Sequence, residues 1–117
     1  MAEALYFTPV GGKFDTARVS AFISTLGFPV QEGARFLLFT DANEARRYEA
    51  GPRKPTPFVC IITVLPDQIS VAQLCDAEGL ALSRRFVEWL MANYEVSIED
   101  DEGDDVTGVP LDTLYAV

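Results

Sequence analysis

Carboxylates near the end of the sequence form its densest group of chemically active side chains. The group is Glu99, Asp100, Asp101, Glu102, Asp104 and Asp105, interrupted only by Gly103. Carboxylate oxygens can bind hard cations, transfer protons or attract a basic protein. The spaced order and terminal glutamate of an EF-hand are missing, so a dedicated calcium site is unsupported. Three interpretations stay open: a solvated hairpin tip, a docking surface for a basic protein partner, and a loosely held cation.

This acidic run accounts for most of the net charge of the chain. The 117 residues carry 18 acidic and 9 basic side chains, a formal charge of −9. Residues 1–94 hold 10 acids and 9 bases, whereas residues 95–117 hold 8 acids and no base. Like charges in contact repel in water by up to about 1 kcal/mol per pair, so the run must face solvent or a cation. We expect no nucleic acid to bind this end, because phosphates repel carboxylates.

The absence of histidine removes several kinds of catalytic site. Ser-His-Asp and Cys-His nucleophiles, imidazole acid–base catalysts and His-bearing zinc sites all need a residue that the chain does not contain. Scattered carboxylates such as Glu88 and Asp112 could act as a catalytic pair only if the fold brought them together. We therefore assign no catalytic residue, no metal ligand and no cofactor, and we favour a protein that is not an enzyme.

Two other motifs have weaker chemical meaning. Residues 11–13 read Gly-Gly-Lys between a predicted strand and a predicted helix, as in phosphate-binding loops. Phe7 and Phe14 stand where a Walker A loop needs glycine and a hydroxyl residue, so we interpret the motif as a turn. The only basic cluster is Arg46, Arg47, Arg53 and Lys54. It is too narrow to follow a phosphate backbone, and we interpret it as an exposed helix face and loop.

The two cysteines, Cys60 and Cys75, carry the only thiols. Cys60 falls within an apolar run, where cysteine usually behaves as a small hydrophobic residue. If residues 66–69 form a hairpin loop, the two cysteines would lie opposite each other and a disulfide would be geometrically possible. The cytoplasm keeps thiols reduced, so we expect both to be free.

The elements that must position these side chains follow from the apolar pattern. Strands are predicted at residues 3–10, 34–40 and 58–65, and short late strands at 96–98 and 112–117. Helices are predicted from Asp15 or Thr16 to Gly27, over residues 41–51 with a capping box of Asp41 and Glu44, and over residues 80–94. Residues 70–76 fit either the start of the long helix or the second strand of a hairpin, and we prefer the helix.

The order of these elements predicts an α+β or α/β fold in a single domain, residues 1–117. We expect a two-layer sandwich in which two or three helices cover a mixed sheet of four or five strands. The predicted core includes Phe36, Leu38, Ile61, Ile62, Phe86 and Leu90. No apolar run is long enough to cross a bilayer and the start lacks the basic flank of a signal peptide, so a cytoplasmic protein without membrane contact is expected.

Function is not readable from any single motif. Our leading hypothesis is a small acidic binding or regulatory module, such as an inhibitor, immunity-type protein or adaptor, that docks onto a basic protein through residues 99–105. The alternative is a small-molecule-binding or carboxylate-based catalytic sandwich with a pocket between the sheet and the helices. The oligomeric state is left open.

Overall fold

A computed structural model describes residues 4–51, 60–73 and 77–115, and over these residues it contains six strands and four helices. The strands are β1 (Ala4–Pro9), β2 (Phe28–Glu32), β3 (Arg35–Phe39), β4 (Cys60–Val64), β5 (Ile69–Gln73) and β6 (Val96–Asp100). The helices are α1 (Thr16–Ile23), α2 (Ala42–Ala50), α3 (Ala77–Asn93) and α4 (Leu111–Leu114).

All six strands belong to one antiparallel sheet with the order β2-β3-β4-β5-β1-β6. Two tight hairpins, β2–β3 and β4–β5, supply four neighbouring strands, and β1 pairs between β5 and β6. The predicted α+β class is confirmed, with six strands rather than four or five and four helices rather than two or three. The predicted mixed sheet is wrong, because every pair of neighbouring strands is antiparallel. The sheet places β6 and the acidic run at one edge and β2 at the other.

The main core lies between one face of the sheet and the helices α1 and α3. Side chains alternate between the two faces of a strand, so Phe36, Leu38 and Ile62 point toward these helices, where Phe86 and Leu90 meet them. All five are buried, as predicted.

A second, smaller apolar cluster covers part of the opposite face. There α2 packs Ala45 and Tyr48 against Val30, Leu37 and Phe39 of β2 and β3. Ile61 belongs to this face, is half-buried and packs against this smaller cluster rather than the main core. The reason is the alternation of β4, because neighbouring Ile62 already points toward α1 and α3.

Three segments differ from their predicted structure. Residues 69–73 form β5 rather than the start of a helix, because hydrogen bonding to β4 on one side and β1 on the other satisfies their backbone groups. Residues 111–114 form the short helix α4 where a strand was predicted. Strand β2 was not predicted at all, since Pro29 interrupts its pattern and proline is normally confined to sheet edges. Strand β2 does lie at an edge of the sheet.

The helices α1 and α2 begin at the capping residues that the sequence predicts. The Asp15 carboxylate accepts a hydrogen bond from the Arg18 amide at 3.2 Å, and the Asp41 carboxylate accepts one from the Asn43 amide at 2.7 Å. The predicted return of Glu44 to complete a capping box is not seen, because its carboxylate pairs with Arg47 at 2.8 Å.

The β4–β5 hairpin determines which residue faces Cys60. Its register pairs Cys60 with Gln73, two positions before Cys75. The pairing that would have set the two cysteines opposite each other is therefore wrong, because the loop closes between Val64 and Ile69. Cys60 is a free, buried thiol, and Cys75 lies outside the described residues.

We predict that Cys60 resists alkylation in the folded protein. Burial raises the pKa of its thiol to about 12, so almost no reactive thiolate forms at neutral pH. Burial also keeps the reagent away from the sulfur atom. In a Cys75→Ser variant, labelling by iodoacetamide followed by mass spectrometry should be slow in buffer and fast in denaturant. Rapid labelling in buffer would contradict the placement of β4 in the core.

Candidate functional site: the acidic hairpin

The six clustered carboxylates lie on a tight turn at the end of β6. We call residues 99–105 the acidic hairpin. The Asp100 amide donates to the Asp104 carbonyl at 3.0 Å, and the Gly103 amide donates to the Asp100 carbonyl at 3.1 Å. Gly103 adopts a φ of +85° that a residue with a side chain rarely takes. The chain then returns along β6 as Glu99 bridges to Asp105.

Two of the carboxylates hold this turn in shape. The Asp100 side chain accepts hydrogen bonds from the amides of Glu102 and Asp104, at 3.0 and 2.9 Å. The Asp105 side chain accepts from the amide of Thr107 at 2.9 Å. The pKa of Asp105 is lowered by hydrogen bonds from Thr107, because they stabilise the charged carboxylate. The Thr107 side chain makes the larger contribution and its backbone the smaller one. The loop is thus organised by its own negative charges.

The return segment also closes the outer edge of β6. The Ile98 amide donates to the Thr107 hydroxyl at 2.8 Å, and the Val106 amide donates to the Ile98 carbonyl at 2.9 Å. At the other edge of the sheet, Pro29 of β2 offers no N–H to an added strand. Strand addition by a partner is therefore disfavoured at both edges.

The charges of the acidic hairpin are not neutralised within the described part of the chain. Five of its six carboxylate residues are exposed, and Asp100 is half-buried. The ion pairs among the described residues join Arg35 to Glu32, Arg47 to Glu44, and Arg84 to Glu88 and Asp112. None of them involves the acidic hairpin, so its negative potential projects into solvent.

The basic cluster does not reach this site. Arg46 and Arg47 lie on α2, which covers β2 and β3 at the opposite end of the sheet from β6. Their guanidinium groups bond to Asn43 and Glu44 within the same helix. The remaining members, Arg53 and Lys54, lie outside the described residues.

The Gly-Gly-Lys motif forms a bend between β1 and α1. Gly11 adopts a φ of +73°, which accounts for the glycine at that position. The α1 start that follows is capped by Asp15, whose carboxylate accepts a hydrogen bond from the Arg18 amide. A carboxylate at a helix start opposes an added phosphate, in keeping with the turn interpretation.

Glu88 and Asp112, considered above as a catalytic pair, are brought together by the fold, but through an arginine. Arg84 contacts the Glu88 carboxylate at 2.8 Å and the Asp112 carboxylate at 2.6 Å. These hydrogen bonds raise the pKa of Arg84. The cluster fastens α4 to α3, together with a buried hydrogen bond of 2.7 Å between the hydroxyls of Ser83 and Tyr115. The ion pairs are exposed and contribute little to stability, so the buried Ser83–Tyr115 hydrogen bond is the stronger attachment of the chain that follows the acidic hairpin.

A pocket between the sheet and the helices belongs to the alternative function above, but its position could not be predicted. The walls of two clefts formed by the described residues come from parts far apart in the chain. One, of about 230 Å³, adjoins the acidic hairpin and is lined by Thr8, Ser97, Glu99 and Asp105 among others. The other, of about 280 Å³, separates α1 from the turns of two β-hairpins. Among the described residues, no group of three or more acidic or cysteine side chains is arranged to hold a metal ion.

Comparisons with protein-family models, curated proteins and solved structures found no match to this chain. Within the described ranges, no helix has the length and apolar character needed to cross a membrane. The interpretation of the site therefore depends on its own geometry.

Proposed function

We propose that this protein is a non-enzymatic binding module that docks onto a basic protein through the acidic hairpin. The observation that supports the proposal is a hydrogen-bonded turn whose carboxylates have no cationic partner among the described residues. A surface of this kind attracts positively charged proteins over a distance of about 8 Å at physiological ionic strength.

The fixed conformation of the acidic hairpin strengthens binding in addition to its charge. A flexible acidic tail loses conformational entropy when it binds, whereas this turn is already held by the carboxylates of Asp100 and Asp105. The outward carboxylates Asp101, Glu102 and Asp104 are presented in one arrangement, which favours selection among basic partners. An inhibitor, an immunity-type protein or an adaptor would use such a surface.

The protein's cellular location, its domain organisation and its class of partner follow the same proposal. We place the protein in the cytoplasm, where a free thiol such as Cys60 stays reduced. We treat residues 1–117 as one domain, whose sheet supports the acidic hairpin at its β6 edge. Nucleic acid is not a proposed partner, because its phosphates would be repelled by the same carboxylates.

The test is a variant that removes charge without disturbing the loop. Asp101→Asn, Glu102→Gln and Asp104→Asn together change the formal charge from −9 to −6 and leave the two loop-organising carboxylates in place. We expect association with a basic partner captured from the native host to slow by about tenfold at low salt, and to depend less on salt. Stability should stay the same or rise slightly, because repulsion is relieved.

A charge-matched control separates position from net charge. Glu44→Gln, Glu49→Gln and Asp67→Asn also give −6 but lie away from the acidic hairpin. This control should associate nearly as fast as the original protein in stopped-flow measurements. Equal rates for the two triple variants at low salt would show that only the overall charge matters, and the docking proposal would be wrong.

A further inference from the structure

The cleft beside α1 is chemically unlike the rest of this acidic protein. It lies between the first half of α1 and the turns of the β2–β3 and β4–β5 hairpins, and it has a volume of about 280 Å³. Every side chain that lines it is uncharged, in a chain whose formal charge is −9. A charged ligand would therefore find no counterion in its walls.

Hydrogen-bonding groups stand on two opposite walls of this cleft. Thr16 and Ser20 are one helical turn apart on the same side of α1, and both are half-buried. Neither hydroxyl is bonded to another of the described residues. Across the cleft, the side-chain NH₂ group of Gln31 donates to the Gly33 carbonyl at 3.0 Å. This hydrogen bond orients the side-chain carboxamide and leaves its oxygen to accept another hydrogen bond.

The cleft has an apolar floor. Phe36, Val64 and Pro66 contribute to its lining, and the first two are buried members of the main core. The space exists because α1 carries small hydroxyl residues beside its buried Val19 and Ile23, where larger apolar side chains would fill the gap. Two polar walls over an apolar floor suit a ligand with hydroxyl groups at its rim and a carbon–hydrogen face.

We propose that this cleft binds an uncharged pyranose sugar ring. The C–H face of the ring lies against the exposed Pro66, above the buried Phe36 and Val64, and its hydroxyl groups bond to Thr16, Ser20 and Gln31. This site is separate from the acidic hairpin and does not depend on the docking proposal. One small ring in a cleft of this size should bind with a dissociation constant of roughly 1–10 mM.

Amide chemical shifts measured by NMR provide the test. The full chain is titrated with three neutral probes, the methyl β-glycosides of glucose, galactose and N-acetylglucosamine, and with glucose 6-phosphate and glucosamine as charged probes. We expect at least one neutral probe to give saturable shifts centred on residues 16–20 and 31–36. No saturable shift there with any neutral probe, or binding of a charged probe only, would overturn the proposal.

Variants then assign the binding to the cleft. Ser20→Leu fills it and should abolish the shifts, whereas Ala21→Leu adds the same bulk to an exposed position of α1 and should leave them unchanged. The double variant Thr16→Val with Ser20→Ala keeps the shape but removes both hydroxyls, and should weaken binding by about tenfold or more. Unchanged binding in Ser20→Leu, or in the double variant if the former does not fold, would place the sugar elsewhere and contradict the assignment.

Discussion

Replacement of Ile62 by alanine is expected to lower the free energy of unfolding by about 2–5 kcal/mol, the range typical of large-to-small changes in packed cores. Ile62 is 0% exposed and lies in β4, with Phe36 and Val71 as its cross-strand neighbours. Strands on both sides and helices above restrict how far the surroundings can relax into the space left by the missing atoms. The cavity cost therefore adds to the lost burial.

The matched control lies three residues further along. Leu65 is 43% exposed in the turn after β4, and Leu65→Ala should change stability by roughly 0.5 kcal/mol. Chemical denaturation of both variants gives the comparison. If Ile62→Ala and Leu65→Ala shift the midpoint equally, β4 is not the central strand of the core.

Replacement of Gly27 by alanine is expected to cost more than about 2 kcal/mol, because two effects coincide. Gly27 has a φ of +58°, in the left-handed region that disfavours side chains. In addition, a Cβ built there would lie 2.6 Å from the backbone oxygen of Phe39 and 3.4 Å from the Leu82 side chain. A backbone atom of the sheet cannot swing aside as the end of a side chain can.

Replacement of Gly33 by alanine distinguishes the conformational strain from the steric clash. Gly33 has a similar φ of +63°, but a Cβ there would meet nothing within 4 Å, so Gly33→Ala should cost only the conformational strain, about 1 kcal/mol. Denaturation curves of the two variants measure the difference directly. An equal loss at both positions would mean that the chain after α1 moves away from β3 easily, against the close approach seen in the structure.

Different contacts attach the two proposed surfaces to the core. Gly27 lets the chain turn from α1 into β2 beside the end of β3, and β2 carries Gln31, which lines the cleft. At the other edge, the Thr107 hydrogen bonds and the buried Ser83–Tyr115 hydrogen bond hold the chain that follows the acidic hairpin. Each proposed surface thus lies at one side of the sheet and has its own attachment to the core.

Several elements could be predicted because their signals are local. The apolar run around Ile62 indicated a buried strand, and the apolar stripe that includes Phe86 and Leu90 indicated the long helix. Asp15 and Asp41 marked helix starts because a carboxylate in that position can bond to amides two or three residues ahead. The first helix is predicted to run to Gly27, yet α1 ends at Ile23 and the positive φ of Gly27 belongs to the following turn.

Local patterns are enough to predict the α+β class, the main apolar strand and helices, and the concentration of negative charge in residues 99–105, since each depends on neighbours along the chain. The tertiary fold makes residues 69–73 a strand, because backbone pairing with two other strands outweighs a local capping pattern. It also sets Thr16 and Ser20 opposite Gln31 across a cleft, and it keeps the acidic hairpin far from Arg46 and Arg47. Such arrangements come from contacts between distant parts of the chain, which no local pattern records.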